Sequence, residues 1–145
     1  MIPDVASALR AFLRADADVI AIATAARVYA GEMPAAEAAL QPRAAVVLAM
    51  AGGPGDRGHV RIGRTRVDIR SYGATGFEAT RLSNAVHEAL KELSRVRVSS
   101  GAPAITPTLI HSVMSESGPT PLRDADGDWP MTLRTYEVLA AEVAA

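Results

Sequence analysis

Residues 66–93 read RVDIRSYGATGFEATRLSNAVHEALKEL, and they place a strand directly before a helix. In the helical part, apolar residues recur at three- and four-residue spacing, which predicts one buried stripe. These residues are Leu82, Val86, Ala89, Leu90 and Leu93. Thr75 and Glu78 stand three residues apart before the stripe, which is the spacing of a capping box at a helix start. The sequence therefore predicts a helix over Gly76–Leu93, preceded by a strand that ends at Tyr72.

A hairpin is predicted ahead of this helix. Arg43–Ala51 is a compact apolar run, typical of a strand that is covered on at least one face. Gly52–Gly58 contains four glycines and a proline and is predicted to be the hairpin tip. The second strand, His59–Tyr72, changes the parity of its apolar residues along its length, which predicts a bulge or bend at Gly63–Thr65. The apolar residues concerned are Val60 and Ile62, then Val67 and Ile69.

The remaining elements follow from weaker patterns. A first helix carries an apolar face of Val5, Leu9, Phe12 and Leu13. After it we expect a short helical stretch at Val19–Ala25, an edge strand at Arg27–Gly31, a loop with helical turns at Glu32–Gln41, strands at Leu109–Glu116 and Met131–Leu139, and a polar turn segment at Ser117–Pro130. This order predicts an α+β fold, with an antiparallel sheet of about four strands, two helices packed on one face and a long protruding hairpin.

Composition limits the class of protein. A chain of 145 residues suits a single domain, taken here as residues 1–145. The net charge of -1 disfavours a protein that coats nucleic acid, and the absence of cysteine excludes a disulfide framework. The longest apolar run, Ala44–Ala51, is too short to span a membrane. Asp4, Arg10 and Arg14 interrupt any apolar core of a signal peptide, so none is expected.

Sequence motifs for catalysis or metal binding are incomplete. Asp124–Asp128 places aspartates at alternate positions like a calcium loop, but Trp129 and Thr135 stand where that loop needs glycine and glutamate. We interpret it as a hairpin turn. His59, His87 and His111 lack metal-ligand spacing, and no nucleophile elbow is present. We therefore predict no catalytic residues, metal or cofactor, and no enzymatic activity.

Five arginines crowd one arm of the predicted hairpin. They are Arg57, Arg61, Arg64, Arg66 and Arg70. A solvated strand face and a subunit interface explain these arginines about equally well. We treat all five as candidate interface residues. Trp129, the only tryptophan, precedes the last strand. We predict that its ring packs on the sheet or under the Asp124–Asp128 turn and acts as a structural anchor.

The order of elements resembles the tail completion, or tail terminator, family of long-tailed bacteriophages and phage-like particles. The likeness is carried by Ala8–Asp18, Arg27–Tyr29, Arg66–Thr75, Glu78–Leu90, Ser115–Pro119, Leu122–Asp124, Trp129 and Arg134–Val138. The resemblance implies a virion protein of the tail or neck, made in the host cytoplasm. It further implies a homo-oligomeric ring, typically a hexamer, that ends tube growth at the head-proximal end of the tail.

The partners implied by this resemblance are the tail tube protein and the head–tail connector or stopper protein. DNA would pass through the ring without sequence-specific binding, and no membrane is involved. Two other classes stay open at this point. One is a head–tail connector or tail-tube subunit in the same virion. The other is a small-molecule-binding or enzymatic α+β domain, which a deep pocket with convergent polar groups would favour.

Overall fold

A curled sheet with its three longest helices on one face forms the described part of the protein. The computed structural model describes residues 4–52, 62–98, 108–125 and 127–142. The strands are β1 Val28–Ala30, β2 Ala45–Met50, β3 Ile62–Tyr72, β4 Ser94–Val98, β5 Thr108–Ser115, β6 Thr120–Arg123 and β7 Pro130–Glu142. The helices are α1 Val5–Ala15, α2 Ala17–Ile22, α3 Ala35–Ala38 and α4 Gly76–Lys91, with a 3-10 turn at Ala25–Arg27.

The strands lie in the order β1-β2-β3-β7-β5-β4, and β6 also pairs with β7. Every pairing is antiparallel except that of β1 with β2, which is parallel. Strands β5 and β6 pair with successive parts of β7 in the same direction, so they act as one interrupted strand. The α+β class is confirmed, but the expected count of about four strands is wrong.

The two strands that were not predicted lack clear sequence signals. β4 alternates arginine with valine and is only five residues long. β6 contains Pro121, which has no backbone N–H to donate to a neighbouring strand, and all four residues of β6 are exposed. It lies inside Ser117–Pro130, where the sequence predicts only a polar turn segment, so that prediction is incomplete. Neither strand buries enough apolar surface to be visible as a pattern.

The hairpin of β2 and β3 is confirmed at its base. The amide of Ala51 donates to the carbonyl of Arg66, and the amide of Arg66 donates to that of Gly52, both at 2.8 Å. Its tip, and with it the predicted protrusion, lies outside the described residues. The predicted bulge at Gly63–Thr65 is wrong, since β3 pairs with β7 without interruption from Ile62 to Tyr72.

The change of parity in β3 has a different cause. Val67 and Ile69 point into the core, whereas Ile62 belongs to the opposite face of an unbroken strand and stays exposed. The sheet irregularity lies elsewhere, in β5, where the register with β7 shifts between Ile110 and Ser112. The exposed Ile62 therefore gave β3 the sequence pattern of a register change, although the pairing of the strand is regular.

The main core lies between the sheet and the helices α1, α2 and α4, on what we call the inner face. Its largest fully buried side chains include Leu9, Leu13, Leu48, Ile69, Leu82, Leu90, Ile110 and Tyr136. Helix α1 packs against β1 and β2 and also against β4, and the sheet curls as a half-barrel. The expectation that the two longer helices share one face is confirmed.

The helix starts follow the sequence. Thr75 Oγ1 accepts from the Glu78 amide at 3.2 Å, and Glu78 Oε1 accepts from the Ala74 amide at 3.2 Å. The loop before α4 comes so close to the helix that a Cβ on Gly73 would lie 2.5 Å from the Ala79 nitrogen. Glycine is thus needed at this position to let the helix start against the end of β3.

Candidate functional site

The sheet face opposite the helices, which we call the outer face, carries charged residues from neighbouring strands. On β3 these are Arg64, Arg66, Asp68 and Arg70, and opposite them on β7 lie Leu139, Glu137, Thr135 and Leu133. Successive side chains of a strand point to opposite faces of the sheet. Because Val67 and Ile69 are buried on the inner face, the four charged residues of β3 lie on the outer face.

Ion pairs cross the strands of the outer face. Arg66 Nε lies 2.8 Å from Glu116 Oε2, next to the end of β5, so its side chain reaches over β7. Arg64 Nε lies 3.9 Å from Glu137 Oε1 on β7. The Thr135 hydroxyl donates to Asp68 Oδ1 at 2.8 Å. Arg64 and Arg66 remain 62% and 49% exposed, and pairs this exposed add little to stability.

The structure brings three of the five candidate arginines together. Arg64, Arg66 and Arg70 are exposed on the outer face at alternate positions of β3. Arg57 and Arg61 lie outside the described residues. Arg70 lies near the Tyr72 hydroxyl, and its positive charge opposes the rise in the pKa of Tyr72 that burial and the Asp124 carboxylate cause. Three of the five arginines that are close in the sequence therefore also form a cluster on the surface. Their role in an interface stays a prediction.

Trp129 packs at the end of the outer face. Its ring meets Tyr72 edge-on, with centroids 6.2 Å apart, and lies so close to Gly127 that a Cβ there would be 2.2 Å from ring carbon Cε2. It joins a second, small apolar cluster with Ala45 and Val47. The ring therefore contacts both the sheet and the turn, which are the two positions that the sequence offered. Its role as an anchor remains to be tested by substitution.

The acidic turn satisfies its own backbone. Asp124 Oδ1 accepts from the Gly127 amide at 3.3 Å, and the Asp124 carbonyl accepts from the Asp128 amide at 2.8 Å. The Tyr72 hydroxyl donates to Asp124 Oδ2 at 3.1 Å. These bonds confirm the hairpin-turn interpretation for the described part of the segment. Across the described ranges, no group of three or more histidine, aspartate or glutamate side chains is arranged to hold a metal ion.

A strap of residues 32–43, which includes α3, covers the outer face beside β1. Glu37 is buried and accepts hydrogen bonds from the Tyr29 hydroxyl at 3.0 Å, Gln41 Nε2 at 3.0 Å and Arg43 Nε at 2.7 Å. The hydrogen bond from Arg43 lowers the pKa of Glu37, while burial raises that of Tyr29. This cluster has no signal in the sequence, because its alanine-rich surroundings show no periodicity.

A row of polar contacts joins α4 to the inner side of β7. Thr80 and Thr132 hydroxyls lie 3.2 Å apart, Arg134 donates to Ser83 and Asn84 at 3.2 and 3.1 Å, and His87 Nδ1 lies 3.0 Å from the Tyr136 hydroxyl. Residues three to four apart on a helix match alternate residues on a strand, so the two rows meet. Burial raises the pKa of Tyr136 to about 12.

The histidines show no arrangement for nucleophilic catalysis in the part of the chain that is described. Burial lowers the pKa of His87, and the positive charges of Arg134 and Lys91 lower it further. His111 lies at the register shift of β5, and His59 is outside the described residues.

Among the helices in the described ranges, none combines the length and apolar character needed to cross a membrane.

Comparisons with known proteins agree with the order of elements. A search of curated proteins gave no match. Fourteen chains of solved structures match, among them a chain from the virion of a native gene transfer agent particle, with a TM-score of 0.60 and 18% identity. That match covers 94% of this chain and 94% of the other, and at such identity it shows a shared fold.

A family model supplies the stronger evidence. The model described as tail completion protein gp17 matches residues 7–101, which is more than half of the chain. The matched segment runs from α1 through the β2–β3 hairpin and α4 to just beyond β4. The resemblance predicted from the sequence is thereby confirmed. The chain belongs to the tail completion protein gp17 family.

Proposed function

We propose that this protein is a structural subunit of a phage or phage-like tail, without enzymatic activity. It forms a ring, typically of six copies, at the head-proximal end of the tail tube. The ring ends tube growth and joins the tube to the neck connector, and DNA passes through it without sequence-specific binding. The subunit is made in the host cytoplasm and functions in the virion. Family membership and the fold shared with a virion chain support this proposal.

The observation that best supports the proposal is the charged region of the outer face, which is formed by β3 and β7. A closed ring uses head-to-tail contacts, so two different surfaces of each subunit must be complementary. Charges of both signs on β3, on β7 and just after β5 can set the direction and register of such contacts. The net charge of -1 avoids repulsion between copies. These features suit assembly, whereas a metal or catalytic site would need convergent ligands.

The test reverses the charges of the outer face. Arg64→Glu with Arg66→Glu replaces two exposed ion pairs by two exposed like-charge contacts, so the free energy of unfolding should fall by about 2 kcal/mol or less. Incorporation of the variant into particles should fail. A second variant adds Glu116→Arg and Glu137→Arg, which restores both internal pairs with opposite polarity. It should melt like the wild type and still fail to incorporate, because the outward charge pattern remains reversed.

Arg81→Glu, at an exposed position on α4, is the matched control and should incorporate normally. Normal incorporation of both reversed variants would mean that the outer-face arginines form only a solvated strand face. Images of assembled particles test the ring itself. A single copy of the protein at the neck would contradict it, and a position along the tube would favour a tube subunit.

A further inference from the structure

Two arginines lie one turn apart on α1, where the helix meets the edge strand β1. Arg10 Nε donates to the carbonyl oxygen of Val28 at 3.1 Å. Arg14 is partly buried, and its Nε is shielded from solvent without any hydrogen-bond partner. Within the described ranges, Arg14 makes neither a hydrogen bond nor an ion pair. The donor is therefore buried in the subunit without an acceptor.

This arrangement is unfavourable in an isolated subunit. A buried donor without an acceptor costs free energy, and a charge without a counter-charge adds to that cost. Burial and the neighbouring charge of Arg10 lower the pKa of Arg14, which reports the same penalty. Arginine stays protonated in proteins, so the charge persists. An orphaned buried group of this kind requires an explanation from function or from a missing partner.

Two other arginines in the described ranges, one partly buried and one buried, have partners within the subunit. Arg43 forms a bidentate pair with Glu37, and Arg134, only 8% exposed, donates to Ser83 and Asn84. The fold therefore supplies hydrogen-bond acceptors to the guanidinium groups of Arg43 and Arg134. For Arg14 the described part of the subunit supplies no acceptor, and its terminal nitrogens, which are not shielded like Nε, are open to an acceptor from outside.

We infer that Arg10 and Arg14 form a binding site for a carboxylate side chain of a neighbouring copy of this chain. The inference rests on the proposed ring and names one of its contacts. A guanidinium presents a planar fork that matches a carboxylate. The chain has 16 acidic residues for 15 basic ones, so a second copy can supply the anion.

Three exposed carboxylates are candidates for the other half of the contact. They are Asp18, Glu32 and Glu92. In the described part of the chain, their side chains make no hydrogen bond or ion pair. A head-to-tail contact requires complementary groups on two surfaces, and an arginine without an acceptor and carboxylates without donors are such groups.

The first experiment uses Arg14→Met, which keeps the apolar stem and removes the guanidinium. We expect the isolated subunit to melt at the same or a higher temperature, because a shielded donor without an acceptor has been removed. Incorporation into particles should fall by about tenfold or more, since the charge pair across the contact is lost. Arg81→Met is the control and should change neither quantity. A lower melting temperature with normal incorporation would assign Arg14 a purely structural role and overturn the inference.

The second experiment identifies the partner. Arg14→Glu is combined in turn with Asp18→Arg, Glu32→Arg and Glu92→Arg, and restored incorporation with one of them supports the contact. If none restores it, the assignment to a second copy is overturned. If Arg14→Met particles carry complete rings but lose DNA, the site binds phosphate and the inference is also overturned.

These outcomes are distinguishable from failure of the proposed ring. If wild-type particles carry a single copy, the ring proposal fails and the contact fails with it. If wild-type particles carry a ring and Arg14→Met particles carry the same ring in normal amount, only the carboxylate site fails.

Discussion

The two faces of β7 support polar side chains in opposite ways. On the inner face Thr132, Arg134 and Tyr136 are buried, and each meets a side chain of α4 within hydrogen-bond distance. On the outer face Thr135 and Glu137 are half-buried and interact with β3 across the strands. The same strand thus carries an enclosed polar row on one side and a solvated charged row on the other.

This difference separates folding from assembly. Inner-face side chains cannot change without leaving a cavity or an unsatisfied group, so they fix the position of α4 on the sheet. Outer-face pairs are exposed and contribute little to stability, so their charges are free to match a partner. A protein that must fold first and assemble later benefits from keeping the two tasks on opposite faces.

The largest effect is expected in the core of the inner face. Leu82 on α4 is fully buried, and Leu82→Ala should lower the free energy of unfolding by about 4 kcal/mol. Leu122 on β6, 42% exposed, provides the outer-face comparison, and Leu122→Ala should cost about 0.5 kcal/mol. Denaturant melts of the two variants measure both values. Equal losses would show that the outer face contributes to folding as much as the inner one.

Trp129 provides an exception on the outer side, since its ring covers Gly127 and contacts Tyr72. We expect Trp129→Ala to cost about 3 kcal/mol, in the range of large aromatic truncations. Gly127→Ala should cost about 1–3 kcal/mol, because the new methyl would overlap the indole.

The double variant tests the cause of the Gly127 effect. In a Trp129→Ala background, Gly127→Ala should be close to neutral, because the overlapping ring is gone. Chemical denaturation of the four proteins completes the cycle. Additive losses would mean that the ring does not pack on the turn, and a loss below about 0.5 kcal/mol for Trp129→Ala would fit an exposed side chain.

The smallest effect concerns pH and the polar row of the inner face. The fold lowers the pKa of His87 from its ordinary value of 6.5, so it favours the neutral imidazole beside Tyr136. The associated stabilisation is complete above pH 6.5 and is lost as the pH falls through the folded-state pKa. The melting temperature of the wild type should therefore fall between pH 7 and pH 5, by more than that of His87→Gln. Identical pH profiles would show that His87 is as well solvated in the fold as in the unfolded chain.

Local signals in the sequence predicted the main elements. The capping residues Thr75 and Glu78 fixed the start of α4, and its apolar stripe fixed the helix face that is buried. The apolar run in β2 predicted a strand, and it is buried on both faces. These predictions succeeded because helix starts and apolar periodicity depend on residues that are near one another in the chain.

Short strands and isolated apolar residues were predicted less well. β4 and β6 form because β5 and β7 offer them a free edge, and their own residues carry no distinct pattern. Ile62 suggested a bulge, although it simply lies on the solvated side of a regular strand. Edge pairing and exposure depend on neighbours that are far away in the chain, so a single strand does not reveal them.

The sequence by itself determined the α+β class, the hairpin base, the two longer helices and the family to which the chain belongs. It also showed a cluster of arginines without showing which face they occupy. Only the tertiary structure decided that Arg64, Arg66 and Arg70 share the outer face, that Glu37 is buried against Arg43, and that the Nε of Arg14 is shielded without an acceptor. The physical reason is that spacing along the chain sets which side of an element a residue occupies, whereas burial and charge pairing depend on what the rest of the fold brings to that side.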